Sequence, residues 1–318
     1  MDKIAFLFPG QGSQALGMGV ALAEAHDEAR TAFEQASGVL DWDLLAACKD
    51  GPEDRLRQTD VAQPALYVTG FAAFAVLRSM GITPDAVGGH SIGEYAALAA
   101  AGVFGFTEGL DLVQERGKLM AAAGAERPGG MLAVLGLERE VLAALCQTVS
   151  AAHGVCVPVN FNSPEQIVVA GEKKAIEAFS AAASQAGAKR VIPLNVSGAF
   201  HSPLMSEAAV RMKKHLSHVS FRDAAWPVAM NVDGRCHQKA SDIQAALAQQ
   251  LDHSVEWVKS IEALKALGCV DFVECGSGRV LSGLLRRIDK QLKAHSTETL
   301  ERLEEVRNTL ATTRKGTT

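Results

Sequence analysis

A serine lies at the centre of a glycine-rich motif, Gly89-His90-Ser91-Ile92-Gly93, and could act as a nucleophile. The motif has the form G-x-S-x-G, with an apolar run before it and a helical pattern after it, as a nucleophile elbow requires. The N-terminus of the following helix would direct free N–H groups and the positive end of its dipole at the serine, where an oxyanion could be stabilised. The motif alone is equally compatible with a bystander serine in a glycine-rich turn.

A serine needs a neighbouring base to act as a nucleophile at neutral pH, and His201 is the best candidate among the nine histidines. It precedes Ser202 and Pro203, which are typical of a helix N-cap and a first helical position. A histidine at such a loop-to-helix junction is well placed to be directed at a site. His90 adjoins the serine and should project elsewhere. Other histidines lie in polar or helical surroundings that favour the surface, namely His153, His215, His218, His237 and His253.

The elements that must position these residues alternate between short apolar runs and longer helical patterns, which predicts an α/β fold. Residues 4–8 and 85–89 are predicted strands, and the second leads directly into a helix from Ile92. Thr107 is predicted to cap a further helix. Arg116 lies at the edge of the apolar face of that helix, where it could reach a buried space or simply extend to solvent as a snorkelling arginine.

The order of the predicted elements changes after Pro128. From there it is β-α-β-β-α-β, which is the order of a ferredoxin-like unit. We therefore expect a ferredoxin-like small subdomain at 128–197, inserted into a larger α/β domain made of 1–127 and 198–290. Residues 291–318 are polar and carry both charge signs, so we expect this C-terminal tail to fray.

Composition excludes several classes of function. Hydrophobic residues make up 48% of the 318 residues, charged residues make up 21%, and the net charge is −5. These values argue against disorder and against nucleic acid as a partner. The six cysteines form no C-x-x-C pair, so we expect no metal site and a reducing cytoplasm. No apolar stretch of about 18 residues is present, and we expect no membrane association.

Four motifs occur in order along the chain: GQGSQ at 10–14, GHSIGEY at 89–95, GAFHSPLM at 198–205 and NVDG at 231–234. In this combination the sequence resembles the malonyl-CoA:acyl-carrier-protein transacylases of bacterial fatty-acid synthesis and the related polyketide acyltransferase domains. The resemblance covers about residues 1–290. It implies a hydrolase-like parallel-sheet core with an inserted ferredoxin-like subdomain. It also implies transfer of a malonyl group from coenzyme A to the phosphopantetheine thiol of an acyl carrier protein.

The resemblance also implies roles for single residues. Ser91 matches the family's nucleophile and His201 its base. The main-chain N–H groups of Gln11 and Ile92 match the oxyanion hole. Gln250 matches the residue whose main-chain carbonyl orients the histidine, so truncating its side chain is expected to be mild.

Arg116 matches the arginine that binds the malonyl carboxylate. Gln63, Asn160 and Phe200 match further positions near the pocket. The chain departs from the family at some positions: the family often has proline at Ser254 and Ser277, a neutral or basic residue at Glu256, and leucine at Ile92.

Two alternative functions fit part of the pattern. A serine esterase or thioesterase would use the elbow and His201 equally well, but the Gln11 loop and Arg116 do not favour it. A non-catalytic module that docks carrier proteins would not need both Ser91 and His201. The transacylase reading implies malonyl-CoA and acyl carrier protein as partners, no cofactor, and no assembly beyond a monomer.

Overall fold

The computed structural model describes residues 2–315, with side-chain surroundings through residue 310. Within this range the strands form one six-stranded and one four-stranded sheet. The strands are β1 (Lys3–Phe8), β2 (Ala86–Gly89), β3 (Gly129–Leu135), β4 (Cys156–Ser163), β5 (Gln166–Glu172), β6 (Arg190–Pro193), β7 (Val228–Ala229), β8 (Cys236–His237), β9 (Cys269–Glu274) and β10 (Lys293–Ser296).

Helices surround both sheets. One of them, Thr59–Ser79, is long and apolar enough to cross a membrane, but 83% of its apolar window is buried inside the protein, as in a core helix. The helices are α1 (Val20–Ala25), α2 (Asp27–Leu40), α3 (Leu44–Asp50), α4 (Glu53–Leu56), α5 (Thr59–Ser79), α6 (Gly93–Ala100), α7 (Phe106–Glu126), α8 (Arg139–His153), α9 (Lys173–Gln185), α10 (Ser206–Leu216), α11 (Ala240–Leu247), α12 (Trp257–Ala266), α13 (Val280–Ile288) and α14 (Leu300–Lys315).

The large sheet has the strand order β10-β9-β1-β2-β7-β8. Its neighbours are parallel except β7 and β8. Residues 4–8 of β1 are all buried, as expected for a parallel strand covered on both faces. Phe8 at the end of β1 pairs with Gly89 at the end of β2. The loop that follows β1 and the elbow that follows β2 therefore lie at the same edge of the sheet.

The small sheet has the order β4-β5-β3-β6 and is antiparallel throughout. Along the chain its elements run β3-α8-β4-β5-α9-β6, and its core includes Leu142, Val169 and Phe179 from three of them. A parallel sheet combined with a small antiparallel sheet confirms the predicted fold class. Main-chain bonds tie β4 to the large domain, since Val255 N donates to Val159 O at 2.7 Å.

Two predictions about elements were wrong. Thr107 does not cap its helix, because α7 begins one residue earlier and Glu108 accepts instead from the Gly105 N–H at 2.8 Å. Much of the segment predicted to fray after residue 290 is ordered. β10 pairs with β9, and α14 buries Leu303, Val306 and Leu310, an apolar face that the polar composition concealed. The last residues of that predicted tail, 316–318, lie outside the described part of the chain.

Candidate active site

Ser91 occupies the tight turn between β2 and α6, with a positive φ of 53°. The glycines on either side are required by contact distances. A Cβ on Gly89 would lie 2.0 Å from the Gly93 carbonyl, and a Cβ on Gly93 would lie 2.0 Å from the Phe8 carbonyl oxygen. Asn231 fixes the turn on both sides, because its Nδ2 donates to Gly89 O and its Oδ1 accepts from Ser91 N, each at 2.7 Å.

His201 is brought to the serine hydroxyl. Its Nε2 lies 2.8 Å from Ser91 Oγ, and its Nδ1 lies 2.8 Å from the main-chain oxygen of Gln250. Since a carbonyl can only accept, Nδ1 carries the proton and Nε2 is free to accept from the serine. Ser202 Oγ accepts from Leu204 N at 3.3 Å and Pro203 opens the following turn, so the predicted cap is confirmed.

The electrostatic surroundings keep this histidine neutral. Burial, together with the charge of Arg116, lowers the pKa of His201 to about 3, although the hydrogen bond to Gln250 opposes the shift. A neutral imidazole can take a proton from Ser91 across the whole neutral pH range.

Gln11 and Ile92, the two residues expected to form the oxyanion hole, follow strands that end at the same edge of the large sheet. Gln11 is in the loop after β1, and Ile92 is the residue from which α6 starts. Among the described residues, no protein acceptor takes the main-chain N–H of either one. Gly10 fits tightly against the elbow, since a Cβ there would lie 2.7 Å from His90 O. Two free main-chain N–H donors are what an oxyanion hole for acyl transfer uses.

Arg116 is fully buried (0% exposed) beside the nucleophile. Its Nη2 donates to Ser91 Oγ at 3.1 Å, and its Nη1 donates to Gln63 Oε1 at 2.7 Å. Its Nε and Nη2 donate to the side-chain oxygen of Gln250 at 3.2 and 3.0 Å. Among the described residues no carboxylate lies within 4.0 Å of the guanidinium. Burial lowers the pKa of Arg116 from its usual value, and Tyr95 and Glu94 oppose the shift.

Three predicted positions remain, and each lies in different surroundings. Gln63 is buried beside Arg116, and its Nε2 donates to Met120 Sδ at 3.3 Å. Asn160, on β4, lines a cavity of about 200 Å³ that Gln11 and His90 also border, and its Oδ1 has no hydrogen-bond partner within the described part of the chain. Phe200 is buried just before His201, and its ring edge lies near Gly198.

Sequence reasoning missed three contributions to the site. Glu94 is fully buried and accepts from Asn231 N at 2.5 Å. The Gln250 side chain, whose truncation was expected to be mild, donates through Nε2 to Glu94 Oε2 and to Ser91 O. Asn231 was noticed only as part of a motif. The available signal was Glu94 itself, the lone charged residue in the otherwise apolar helix α6.

The comparisons with known proteins agree with one another. The sequence matches the family model for the acyl transferase domain over residues 5–274. The malonyl CoA-acyl carrier protein transacylase of Salmonella typhimurium is 42% identical over 295 residues, which cover 92% of this chain and 95% of that protein.

Solved structures give the same answer. The malonyl CoA-acyl carrier protein transacylase from Coxiella burnetii superposes with a TM-score of 0.93 at 37% identity, covering 96% of this chain and 97% of the other. A malonyl-transacylase in complex with a type II PKS acyl-carrier protein gives 0.93 at 40% identity, covering 96% and 99%. The chain belongs to the acyl transferase family, among the malonyl CoA-acyl carrier protein transacylases.

Proposed function

We propose that this chain transfers a malonyl group from coenzyme A to the phosphopantetheine thiol of an acyl carrier protein, through a malonyl ester on Ser91. The observation that carries the proposal is the position of Arg116. A fully buried guanidinium with only neutral hydrogen-bond partners lies 3.1 Å from the nucleophilic hydroxyl. A buried cation calls for an anion, and an acyl group that ends in a carboxylate supplies one.

The first half-reaction forms the ester. Ser91 Oγ attacks the thioester carbonyl while Nε2 of His201 takes the hydroxyl proton. The main-chain N–H groups of Gln11 and Ile92 donate to the oxyanion, and losing one such donor typically costs about 100- to 1,000-fold in rate. When the tetrahedral intermediate collapses, the C–S bond breaks and the proton on His201 passes to the departing thiolate of coenzyme A.

The second half-reaction runs the same steps in reverse with another thiol. The phosphopantetheine thiol of the carrier enters where coenzyme A left, and His201 takes its proton. The thiolate attacks the ester carbonyl, the bond between the acyl carbon and Ser91 Oγ breaks, and the proton on His201 returns to that oxygen. Both half-reactions require only a neutral base and fixed donors, so the mechanism uses no cofactor.

The partner and setting follow from the same proposal. A related transacylase has been solved with an acyl-carrier protein, which supports a carrier protein as the acceptor. We place the enzyme in fatty-acid synthesis, acting as a monomer in the cytoplasm, where its six free thiols would stay reduced. The cavity lined by Asn160 and Gln11 is the proposed path of the phosphopantetheine arm.

The test is transfer from radiolabelled malonyl-CoA to a carrier protein in its apo and holo forms. Label that appears only on the holo carrier supports the proposal, because only that form has the thiol. Release of free malonate at the same rate with and without carrier would instead identify a thioesterase, and no reaction with either would leave a docking module.

A further inference from the structure

Glu94 is a buried carboxyl group to which the proposed mechanism gives no part. It is 0% exposed in a helix that is otherwise apolar, and a buried carboxylate is tolerated only when hydrogen bonds satisfy it. Its Oε1 accepts from the main-chain N–H of Asn231 at 2.5 Å, and its Oε2 accepts from Nε2 of Gln250. Both oxygens therefore act as acceptors.

The Gln250 side chain links this carboxylate to the arginine. Its nitrogen end faces Glu94 and also donates to Ser91 O at 2.9 Å. Its oxygen end accepts from Arg116 Nε at 3.2 Å and Nη2 at 3.0 Å. An ionised carboxylate can only accept, so it selects the NH₂ end of the amide, and the oxygen must then face the guanidinium. If the amide were reversed, the NH₂ of Gln250 would face the N–H groups of Arg116, and both are donors.

We propose that Glu94 is a positioning residue for Arg116, which it holds in place by fixing the orientation of the Gln250 amide. The guanidinium is then kept beside Ser91, where it can meet the substrate carboxylate. This inference rests on the proposed function, in which Arg116 binds the malonyl group. It assigns Glu94 to malonyl selectivity rather than to the serine–histidine chemistry.

Glu94→Gln is the sharpest perturbation because it preserves shape. The new amide oxygen can still accept from Asn231, but the new NH₂ meets the NH₂ of Gln250, which must reverse. Loss of hydrogen bonds to a charged group predicts a fall in kcat/KM for malonyl-CoA of about tenfold to a hundredfold. Acetyl-CoA has no carboxylate for Arg116 to meet, so its kcat/KM should change by less than about threefold.

The pH profile tests the same inference without a substitution. Burial is the main reason that the pKa of Glu94 is raised to about 8. The hydrogen bonds to Asn231 and Gln250 and the charge of Arg116 oppose the shift, and Asp233 adds to it. Tyr95, next in the chain, also interacts with this carboxyl. Positioning needs the ionised form. In the wild type, kcat/KM for malonyl-CoA should therefore rise as pH increases through about 8, and the acetyl value should not.

The closing experiment measures kcat/KM with malonyl-CoA and acetyl-CoA for the wild type, Glu94→Gln, Arg116→Ala and the double variant. Glu274→Gln is the matched control, since Glu274 is 1% exposed and its carboxylate accepts from the main-chain N–H groups of Leu281 and Ser282 at the start of α13 rather than from Gln250. The expected result is a selective malonyl loss in Glu94→Gln, no further malonyl loss when that change is added to Arg116→Ala, and an unchanged malonyl-to-acetyl ratio in Glu274→Gln.

Equal losses for both acyl groups in Glu94→Gln, or a full additional loss in the double variant, would overturn the inference. A wild type that forms no malonyl-serine would refute the proposed function instead. If the wild type prefers malonyl and Arg116→Ala abolishes that preference while Glu94→Gln keeps it, only the assignment of Glu94 fails.

Discussion

Replacing Arg116 by alanine should convert a malonyl-selective enzyme into one that no longer distinguishes malonyl from acetyl. The guanidinium is fully buried and makes four hydrogen bonds, to Gln63, Ser91 and twice to Gln250. These partners are all neutral. The malonyl carboxylate would be the first anion to pair with the guanidinium directly, and a planar guanidinium can hold it through two parallel bonds.

The size of the effect follows from that burial. Removing one member of a buried, hydrogen-bonded charge pair costs about 2–5 kcal/mol. Each ~1.36 kcal/mol corresponds to a tenfold change in kcat/KM, so the value for malonyl-CoA should fall by about 30-fold to several thousand-fold. Acetyl transfer should hold steady or rise. Lysine should restore only part of the malonyl rate. Its ammonium group cannot form two parallel hydrogen bonds to a carboxylate, and it cannot replace the hydrogen bonds that the guanidinium donates to its three neutral partners.

The assay is kcat/KM for both acyl-CoAs with the wild type, Arg116→Ala and Arg116→Lys, with the melting temperature of each protein as a control. Truncation leaves the side chains of Gln63 and Gln250 short of a donor, so some loss of stability is expected, about 1–3 kcal/mol for each unsatisfied group. If malonyl and acetyl transfer fall by the same factor in a variant that remains folded, Arg116 acts on a step that both acyl groups share, and the reasoning about selectivity is refuted.

Three further predictions concern the nucleophile and its support. Ser91→Ala should show no malonyl adduct by intact-protein mass spectrometry, and an adduct that persists would place the nucleophile elsewhere. Asn231→Ala should lower kcat for malonyl and acetyl alike, by about tenfold or more, because two main-chain hydrogen bonds at the turn are lost; a change in KM alone would contradict this. Because burial holds the pKa of His201 near 3, acetyl-enzyme formation should be level from pH 5 to 8, whereas a midpoint near 6.5 would show a solvated base.

The sequence was sufficient for features that depend on local signals. Gly89 is needed because of the Gly93 carbonyl four residues later, and the cap of Ser202 is satisfied two residues later by Leu204. Gly93 is needed because of the distant Phe8 carbonyl, but the G-x-S-x-G pattern marks it all the same. Motif patterns were therefore enough to identify Ser91 and His201 as candidates. The small subdomain was equally visible, because each of its elements carries its own periodic pattern.

The interactions that surround these residues could not be predicted in the same way. Glu94 meets Gln250 across 156 positions of sequence, and Arg116 meets it across 134. Such pairings depend on how the helices pack, which no local pattern encodes. The buried face of α14 was missed for a related reason. Its three apolar residues are widely spaced in a polar segment and give only a weak periodic signal, and their burial depends on the pairing of β10 with β9 beside the helix.

The departures from the family after Gln250 leave the position of its carbonyl intact, and the structure supplies the reason. Val255 N donates to Val159 O at 2.7 Å, and Glu256 N donates to Asn231 O at 2.8 Å. These main-chain bonds hold residues 254–256 against β4 on one side and the Asn231 loop on the other, whichever side chain stands at Ser254. Since backbone pairing restricts the segment as a proline would, the Gln250 carbonyl still meets the His201 ring at 2.8 Å.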